Sequence, residues 1–196
     1  QQTLQKFFTA DPSSSYNYGK IINRKQFSRL VNYLQGVEIL YGGKVDEKKL
    51  YIEPTLISLS GENKDASNPL LNEEIFGPIL PILSFNTTEE AKAIISRNPD
   101  PLAFYVFTSD SSKERKWLEE ISFGGGCVNN ASWQLTNPNL PFGGRGNSGL
   151  GSYHGKNSFQ TFSHRKAIMK TPTWFDPDFK YPPFKGKLGF FKKIIR

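Results

Sequence analysis

Apolar residues in the first third of the chain recur at the spacing of a helix and then at that of strands. Four of them follow an i, i+3, i+4, i+7 pattern that forms one helical face: Phe27, Leu30, Val31 and Leu34. Asn23, three residues before Gln26, predicts the start of this helix as a capping box, and Gly36 predicts its end. Residues 37–41 and 51–58 then have the composition of strands.

The middle of the chain alternates between strand-length apolar runs and amphipathic segments. Residues 79–85, 101–108 and 124–130 predict three strands. A helix that starts at Thr87 and another opened by Ser111 and Glu114 separate them. The order predicts a βαβαβ unit, and therefore an α/β fold with a largely parallel sheet flanked by helices.

The patterns that predict regular helices and strands become rarer after Asn130. Residues 133–151 form a long loop rich in asparagine, proline and glycine, which is typical of a functional or mobile segment. Residues 153–163 predict a helix, 165–170 an extended segment, and 188–195 a short amphipathic helix. No internal repeat and no second domain is apparent, so we expect one domain over residues 1–196.

Composition places the chain among globular proteins, with 37% hydrophobic, 14% aromatic and 22% charged residues. No apolar run approaches the roughly 20 residues of a membrane-spanning helix, and no signal peptide is visible. A single cysteine, Cys127, excludes an internal disulfide and fits a reducing compartment. The sequence therefore predicts a cytoplasmic protein.

The net charge of +7 is concentrated at the C-terminus. The tail of residues 180–196 holds six basic residues and no acidic one: Lys180, Lys185, Lys187, Lys192, Lys193 and Arg196. Such a tail differs from a basic face that tracks phosphates, so nucleic-acid binding is disfavoured. Three interpretations of the tail stay open: contact with an anionic membrane surface, packing as a lid or against a partner, and a frayed terminus.

Glu73 to Pro78 (EEIFGP) carry the first candidate chemistry. A carboxylate there could accept two hydrogen bonds from the vicinal hydroxyls of a ribose, and the ring of Phe76 could pack on a flat heteroaromatic ring. The alternative is an acid in a turn and a core phenylalanine. Composition alone favours this alternative.

Four sequence motifs, taken together in their order and spacing, favour the functional interpretation of this segment instead. They are EEIFGP at 73–78, PLAFYVF at 101–107, SFGGGCVNN at 122–130 and LPFGG at 140–144. Together they resemble the aldehyde dehydrogenase superfamily, and LPFGGRGNSGLGSYHGKNSFQTFSH at 140–164 resembles its class 3 branch, which oxidises medium-chain, fatty and aromatic aldehydes. The resemblance covers the whole chain, and the tail is similar to that of bacterial members.

The resemblance implies roles for individual residues. Glu74 would hold the nicotinamide ribose of NAD or NADP, Phe76 would wall the nicotinamide ring, and Asn129 would be structural beneath the active site. The aldehyde tunnel would be lined by five residues: Trp133, Gln134, Leu135, Phe142 and His154. The chain departs from its relatives at Gln134, where a histidine is expected, and at Asn130, where an aspartate is expected. The intact enzyme would be a homodimer.

The resemblance also implies that the catalytic cysteine lies upstream of this chain. It would stand in a Gly-Gln-x-Cys turn ahead of a helix at residues 1–10, with the general-base glutamate and the cofactor-binding domain further upstream.

Cys127 lies in a glycine-rich strand without nearby basic residues, so nothing local would activate its thiol. We therefore expect a C-terminal catalytic-domain fragment that is inactive alone. A non-catalytic docking or regulatory module for full-length subunits is the alternative, and the coding sequence upstream of Gln1 separates the two.

Two further site types are disfavoured. The glycines of residues 143–149 resemble a phosphate-binding loop, but they do not follow a strand and open a helix, so we expect them to provide backbone flexibility beside the tunnel. Two histidines without ligand-spaced partners predict no metal site. The decisive expectation is that Glu74, Phe76 and Phe142 face one shared cavity.

Overall fold

The computed structural model describes residues 2–9, 11–60 and 67–194 of the chain. Helix α1 spans Gln2–Phe8, and the two ends of the predicted first helix, Gln1 and Ala10, lie outside the described residues. Helix α2 spans Arg24–Asn32 and begins where predicted, because the Asn23 side chain accepts a hydrogen bond from the backbone of Gln26.

Four short strands follow α2 where two were predicted. They are β1 (Glu38–Tyr41), β2 (Val45–Asp46), β3 (Tyr51–Ile52) and β4 (Thr55–Ser58). The single predicted strand over 51–58 is therefore wrong, because it is interrupted at Glu53 and Pro54 between β3 and β4. Proline lacks the N–H that a ladder needs, so β3 pairs with β2 while β4 turns to pair with β1.

The predicted alternation of strands and helices in the middle of the chain is present. A four-residue helix, α3 (Pro69–Asn72), precedes strand β5 (Ile79–Ile82), helix α4 (Thr88–Ile95), strand β6 (Ala103–Val106), helix α5 (Ser111–Glu120) and strand β7 (Gly125–Val128). Thr87 caps α4, and Asp110 caps α5 by accepting from the Ser112 and Lys113 backbones. Lys92 on α4 forms an ion pair with Glu120 on α5.

Strand pairing confirms the α/β class and corrects the arrangement of the sheet. Strands β4 and β5 are parallel, and so are β6 and β7. However, β5 lies in the three-stranded sheet β1-β4-β5, whereas β6 and β7 form a separate two-stranded sheet. The three strands of the predicted βαβαβ unit thus do not share one sheet among the described residues, because β5 pairs with the earlier strand β4.

The buried core lies between α2 and the first sheet. It is formed by seven apolar side chains, each at most 6% exposed: Phe27, Leu30, Ile52, Ile57, Leu59, Leu70 and Ile79. The apolar stripe read from the sequence of α2 is therefore the face that packs inward. This core holds the segment between α3 and β5 against α2, which positions the site described below.

The C-terminal third is mainly irregular. Helix α6 spans Gly155–Thr161 and helix α7 spans Leu188–Ile194, while Ile195 and Arg196 lie outside the described residues. Residues 163–175 are exposed along their whole length. None of the helices within the described ranges has the length and hydrophobicity needed to cross a membrane.

Candidate functional site

A cavity of about 1010 Å³ lies between the segment that leads into α2 and the EEIFGP segment. Its walls include Glu74 and Phe76, as the sequence predicted, together with Lys20, Gln26 and Arg29. The ring of Phe76 is 82% exposed, so it is a cavity wall and not a core side chain. Glu74 is also exposed, which leaves its carboxylate free to accept hydrogen bonds from a ligand.

Two local features of the chain present Glu74 and Phe76 to this cavity. The short helix α3 ends at Asn72, so the next residues run as a loop across the end of α2. Phe76 adopts a positive φ of 48°, an uncommon conformation for a bulky residue, and this turns the chain before β5. Gly77 then passes so close to Leu30 that a Cβ there would lie 2.6 Å from its Cδ2 atom.

Arg29 is a residue of this cavity that the sequence analysis did not identify. Its guanidinium donates to the main-chain oxygen of Ile75 at 2.7 Å and to the Tyr33 hydroxyl at 2.8 Å. Arginine is common on the polar face of an amphipathic helix. Its position outside the apolar stripe of α2 was the only sign in the sequence that Arg29 is available for contacts on that face.

The second cavity, about 630 Å³, is lined by Phe142 and by the glycine-rich loop that follows it. Other apolar walls are Leu102, Leu150, Tyr153 and Phe162. Backbone hydrogen bonds in both directions between Phe142 and Tyr153, each 2.9 Å, fix this wall. The two rings meet edge to face with centroids 5.3 Å apart.

Gly143 and Gly144 allow close backbone approach in this loop, and the predicted role of the glycines in flexibility stays a prediction. A Cβ on Gly143 would lie 2.1 Å from the Gly151 carbonyl oxygen, and one on Gly144 would lie 2.2 Å from that of Ser148. Arg145 anchors the loop through an ion pair of 2.9 Å to Asp100. At Gly143 and Gly144 the loop is packed so closely against backbone that a side chain does not fit.

His154 lies behind Phe142. Its ring stacks on Phe142 with centroids 5.9 Å apart and meets Tyr153 at 4.8 Å. Its backbone N–H donates to the Ser158 hydroxyl at 2.9 Å, whereas Nδ1 is buried and has no hydrogen-bond partner among the described residues. Nδ1 of His154 is thus a buried polar atom whose hydrogen-bonding capacity is unused among the described residues.

His154 and the three remaining predicted tunnel residues, Trp133, Gln134 and Leu135, line neither of these two cavities. Trp133 and Leu135 are exposed, and Gln134 is buried in a polar network behind β7. The Cys127 thiol donates to the Gln134 carbonyl oxygen at 2.9 Å, and the Gln134 amide donates to the Tyr105 hydroxyl at 3.1 Å. The hydrogen bond with Gln134 is the main reason that the pKa of Tyr105 is lowered from its ordinary value.

Asn129 joins the ends of β6 and β7. Its side-chain oxygen accepts from the Thr108 backbone N–H and its amide donates to the Thr108 carbonyl, both at 2.8 Å. Asn129 also has a positive φ of 52°, which asparagine tolerates better than most residues. Both ends of its amide are therefore used to hold the chain.

Phe142 does not share a cavity with Glu74 and Phe76, so the decisive expectation holds for two residues and is wrong for the third. The two cavities have no lining residue in common. The first is walled by α2 and the loop before β5, and the second by the loop after β7. Strands β5 and β7 belong to different sheets. No cluster of three potential metal ligands occurs within the part of the chain that the structure describes.

The structure is thus an α/β fold with one cavity bearing a free carboxylate and a phenyl wall and a second cavity that is mainly apolar. Residues 1–168 match the family model described as "Aldehyde dehydrogenase family". The chain belongs to the aldehyde dehydrogenase family.

Individual relatives agree with the family match. The 4,4'-diaponeurosporen-aldehyde dehydrogenase of Staphylococcus aureus is 41% identical over 100% of this chain and 42% of its own length. The mouse (Mus musculus) "aldehyde dehydrogenase, dimeric NADP-preferring" is 38% identical over 96% of this chain and 41% of its own length. A solved structure described as the substrate-bound state of Staphylococcus aureus AldH has a TM-score of 0.86 at 41% identity and covers 100% of this chain. This chain in turn covers 42% of that one.

Proposed function

We propose that the chain is part of the catalytic domain of an NAD(P)-dependent aldehyde dehydrogenase. In the intact enzyme, a cysteine thiolate would add to the aldehyde carbon to give a thiohemiacetal, which loses hydride to NAD(P)⁺ to leave a thioester. Water would then hydrolyse the thioester to the carboxylic acid and release the thiol. The single observation that carries the proposal is the cavity in which a free carboxylate, Glu74, and an exposed ring, Phe76, stand together. Because the chain spans 42% of the length of its Staphylococcus aureus relative, the activity is proposed for the whole protein.

The residues of the first cavity fit the nicotinamide ribose of NAD or NADP. Glu74 would accept hydrogen bonds from both ribose hydroxyls, and Phe76 would stack against the nicotinamide ring. When bound, the nicotinamide accepts the hydride that the aldehyde loses, and the protein contributes position and orientation. The family membership and the name of the NADP-preferring mouse relative support this choice of cofactor.

The apolar second cavity is proposed as part of the aldehyde tunnel. Phe142 would line it, and His154, stacked behind Phe142, would place its partnerless Nδ1 beside the tunnel mouth. Trp133 and Leu135 would join the wall from their exposed positions in the intact protein, while Gln134 would act from behind by fixing β7. Apolar walls suit an aldehyde with a hydrocarbon chain.

Replacing Glu74 by glutamine tests the proposed cofactor site. In the full-length protein that contains this chain, the variant is expected to weaken NAD⁺ binding by roughly ten- to a hundredfold, because a hydrogen bond to a charged group contributes about 1.5–3 kcal/mol. Titration calorimetry measures the dissociation constant. Glu119→Gln, an exposed acid on α5, is the matched control and should bind like the parent. Equal affinity of the Glu74 variant and the parent for NAD⁺ would refute the assignment.

The proposed partners are an aldehyde and a second copy of the subunit. Dimerisation is proposed from the family and from the name of the dimeric mouse relative. We expect the intact protein to elute as a dimer in size-exclusion chromatography with light scattering.

Peripheral contact of the tail with an anionic membrane surface is proposed as well. Phe179, Phe184, Phe190 and Phe191 form a cluster of rings whose nearest centroids lie 4.8 Å apart. Lys185, Lys192 and Lys193 are exposed around this cluster. Lysines beside aromatic rings are the composition that binds at the headgroup boundary, at about 1 kcal/mol per basic residue near an anionic surface.

Liposome co-sedimentation tests the tail. The full-length protein is expected to sediment with vesicles that contain phosphatidylserine, and deletion of the tail of residues 180–196 is expected to abolish this binding. Purely phosphatidylcholine vesicles are the control and should bind neither form. Equal sedimentation with and without the tail would exclude a role for it in membrane contact.

A further inference from the structure

One arginine joins helix α2 to the loop that carries Glu74 and Phe76. The Arg29 Nη2 atom donates to the Ile75 main-chain oxygen at 2.7 Å, and Nη1 reaches the Glu74 main-chain oxygen at 3.5 Å. Its Nε atom donates to the Gln26 side-chain oxygen at 2.7 Å, which fixes the guanidinium on the surface of the helix. The contacts to the loop thus come from a group that is itself held in place.

Tyr33, one turn further along, holds the same loop through a side chain. It accepts a hydrogen bond from Arg29 at 2.8 Å and donates its own proton to the Glu73 carboxylate at 2.5 Å. The bond to Glu73 is the largest cause of the raised pKa of Tyr33. The phenol therefore keeps its proton, and this bond persists, to a higher pH than for an ordinary tyrosine.

The loop needs such external support. Phe76 combines a positive φ with an exposed side chain, so neither its backbone preference nor burial of its ring stabilises the observed conformation. The neighbouring Ile75 is partly buried against the core and Ile79 is buried, but the ring of Phe76 itself has no such support. Hydrogen bonds from α2 to the main-chain oxygens of Glu74 and Ile75 therefore support the stretch immediately before Phe76.

Arg29 acts on the loop and is not primarily a ligand of the cofactor. Its described hydrogen bonds occupy the Nε proton and protons on both terminal nitrogens, and all of them go to protein atoms. A planar guanidinium with several fixed donors suits this bridging of main-chain oxygens better than lysine, which offers one point charge. These bonds use four of the five guanidinium N–H groups, which leaves one Nη2 proton for any direct contact with a ligand.

We propose that Arg29, with Tyr33 and Glu73, is a positioning group that fixes the Glu74–Phe76 loop in the conformation that receives the nicotinamide ribose. This inference rests on the proposed function, because it assigns the cofactor to Glu74. It adds a group on α2 that acts without contacting the cofactor. By holding the loop, this group determines how well Glu74 binds the ribose.

Arg29→Met in the full-length protein is expected to weaken NAD⁺ binding about tenfold, since it removes charge-assisted hydrogen bonds from the loop. Arg29→Lys is expected to recover only part of the loss. Arg24→Met, which removes an exposed arginine from the same helix, is the matched control and should leave the affinity unchanged. Calorimetry with NAD⁺ measures binding, and thermal unfolding without NAD⁺ shows that each variant is folded.

A double-mutant cycle separates positioning from a general structural effect. If Arg29 acts through Glu74, Arg29→Met should raise the NAD⁺ dissociation constant by less than threefold when Glu74 is already replaced by glutamine. An unchanged tenfold effect in that background, or no effect of Arg29→Met in the parent, would overturn the proposal. If Arg29→Met does not fold, Tyr33→Phe replaces it in the same cycle with the same criteria. Failure of the proposed function is distinct, because Glu74→Gln would then leave NAD⁺ affinity unchanged.

Discussion

Alanine at Gly126 is expected to destabilise the protein by roughly 3 kcal/mol, which corresponds to a fall of about 6–12 °C in Tm for a domain of this size. Gly126 lies in β7, and a Cβ there would sit 2.0 Å from the Phe104 carbonyl oxygen and 3.4 Å from a ring carbon of Phe123. The nearest obstacle is backbone of the paired strand β6, so no side-chain rotation relieves it. Strands β6 and β7 would have to separate, and differential scanning calorimetry measures the loss.

Gly125→Ala is the control for this experiment. The neighbouring glycine belongs to the same strand, yet a Cβ there meets nothing within 4 Å. Its replacement by alanine is expected to leave Tm unchanged or to raise it slightly, because glycine costs more conformational entropy on folding. Equal behaviour of the two variants would contradict the register of β6 and β7 described here.

The 196-residue chain alone is expected to show no dehydrogenase turnover. Its only cysteine, Cys127, lies within β7, and its thiol is engaged with the buried amide of Gln134. A nucleophilic thiol needs a basic neighbour or a helix N-terminus and access to substrate, and a strand-bound thiol paired with a neutral amide has neither. NADH or NADPH formation with an aliphatic aldehyde, followed at 340 nm, measures turnover.

Cys127→Ser in the full-length protein provides the complementary measurement. The hydroxyl can make the same hydrogen bond to Gln134, so we expect the full-length variant to retain its activity to within about twofold. Reduction of NAD⁺ by the isolated chain, or loss of turnover in the full-length variant with an unchanged Tm, would identify Cys127 as a nucleophile after all.

Local sequence features predicted the elements of the fold more successfully than their pairing. Asn23 and Thr87 begin helices where expected, because a cap depends on residues only two or three positions away. The predicted strand over 51–58 is divided at Pro54, because proline has no N–H for the ladder. The apolar residues on both sides of Pro54 favour a single strand when composition alone is considered. The partner of β5 depends on contacts between distant segments, which hydrophobic periodicity does not encode.

The candidate site shows the same division. Glu74 and Phe76 were predicted together and do line one cavity, because they are two residues apart on one exposed loop. Phe142 was placed with them by resemblance, and its distance along the chain leaves its position to the assembly of the sheets. Arg29 could not be predicted, since its contacts to the Ile75 main chain join positions 46 residues apart.

The packed glycine loop has a consequence for how the apolar cavity could change during evolution. One side of the cavity is formed by main chain that has no room for side chains at Gly143 and Gly144. The ion pair between Arg145 and Asp100 fixes this main chain in place. Leu150 and Phe162, by contrast, project from this frame and are almost fully exposed. Mutation at these two positions would therefore change the size of the cavity without disturbing the backbone that forms it. If the proposed aldehyde tunnel lies here, its width can vary without loss of fold stability.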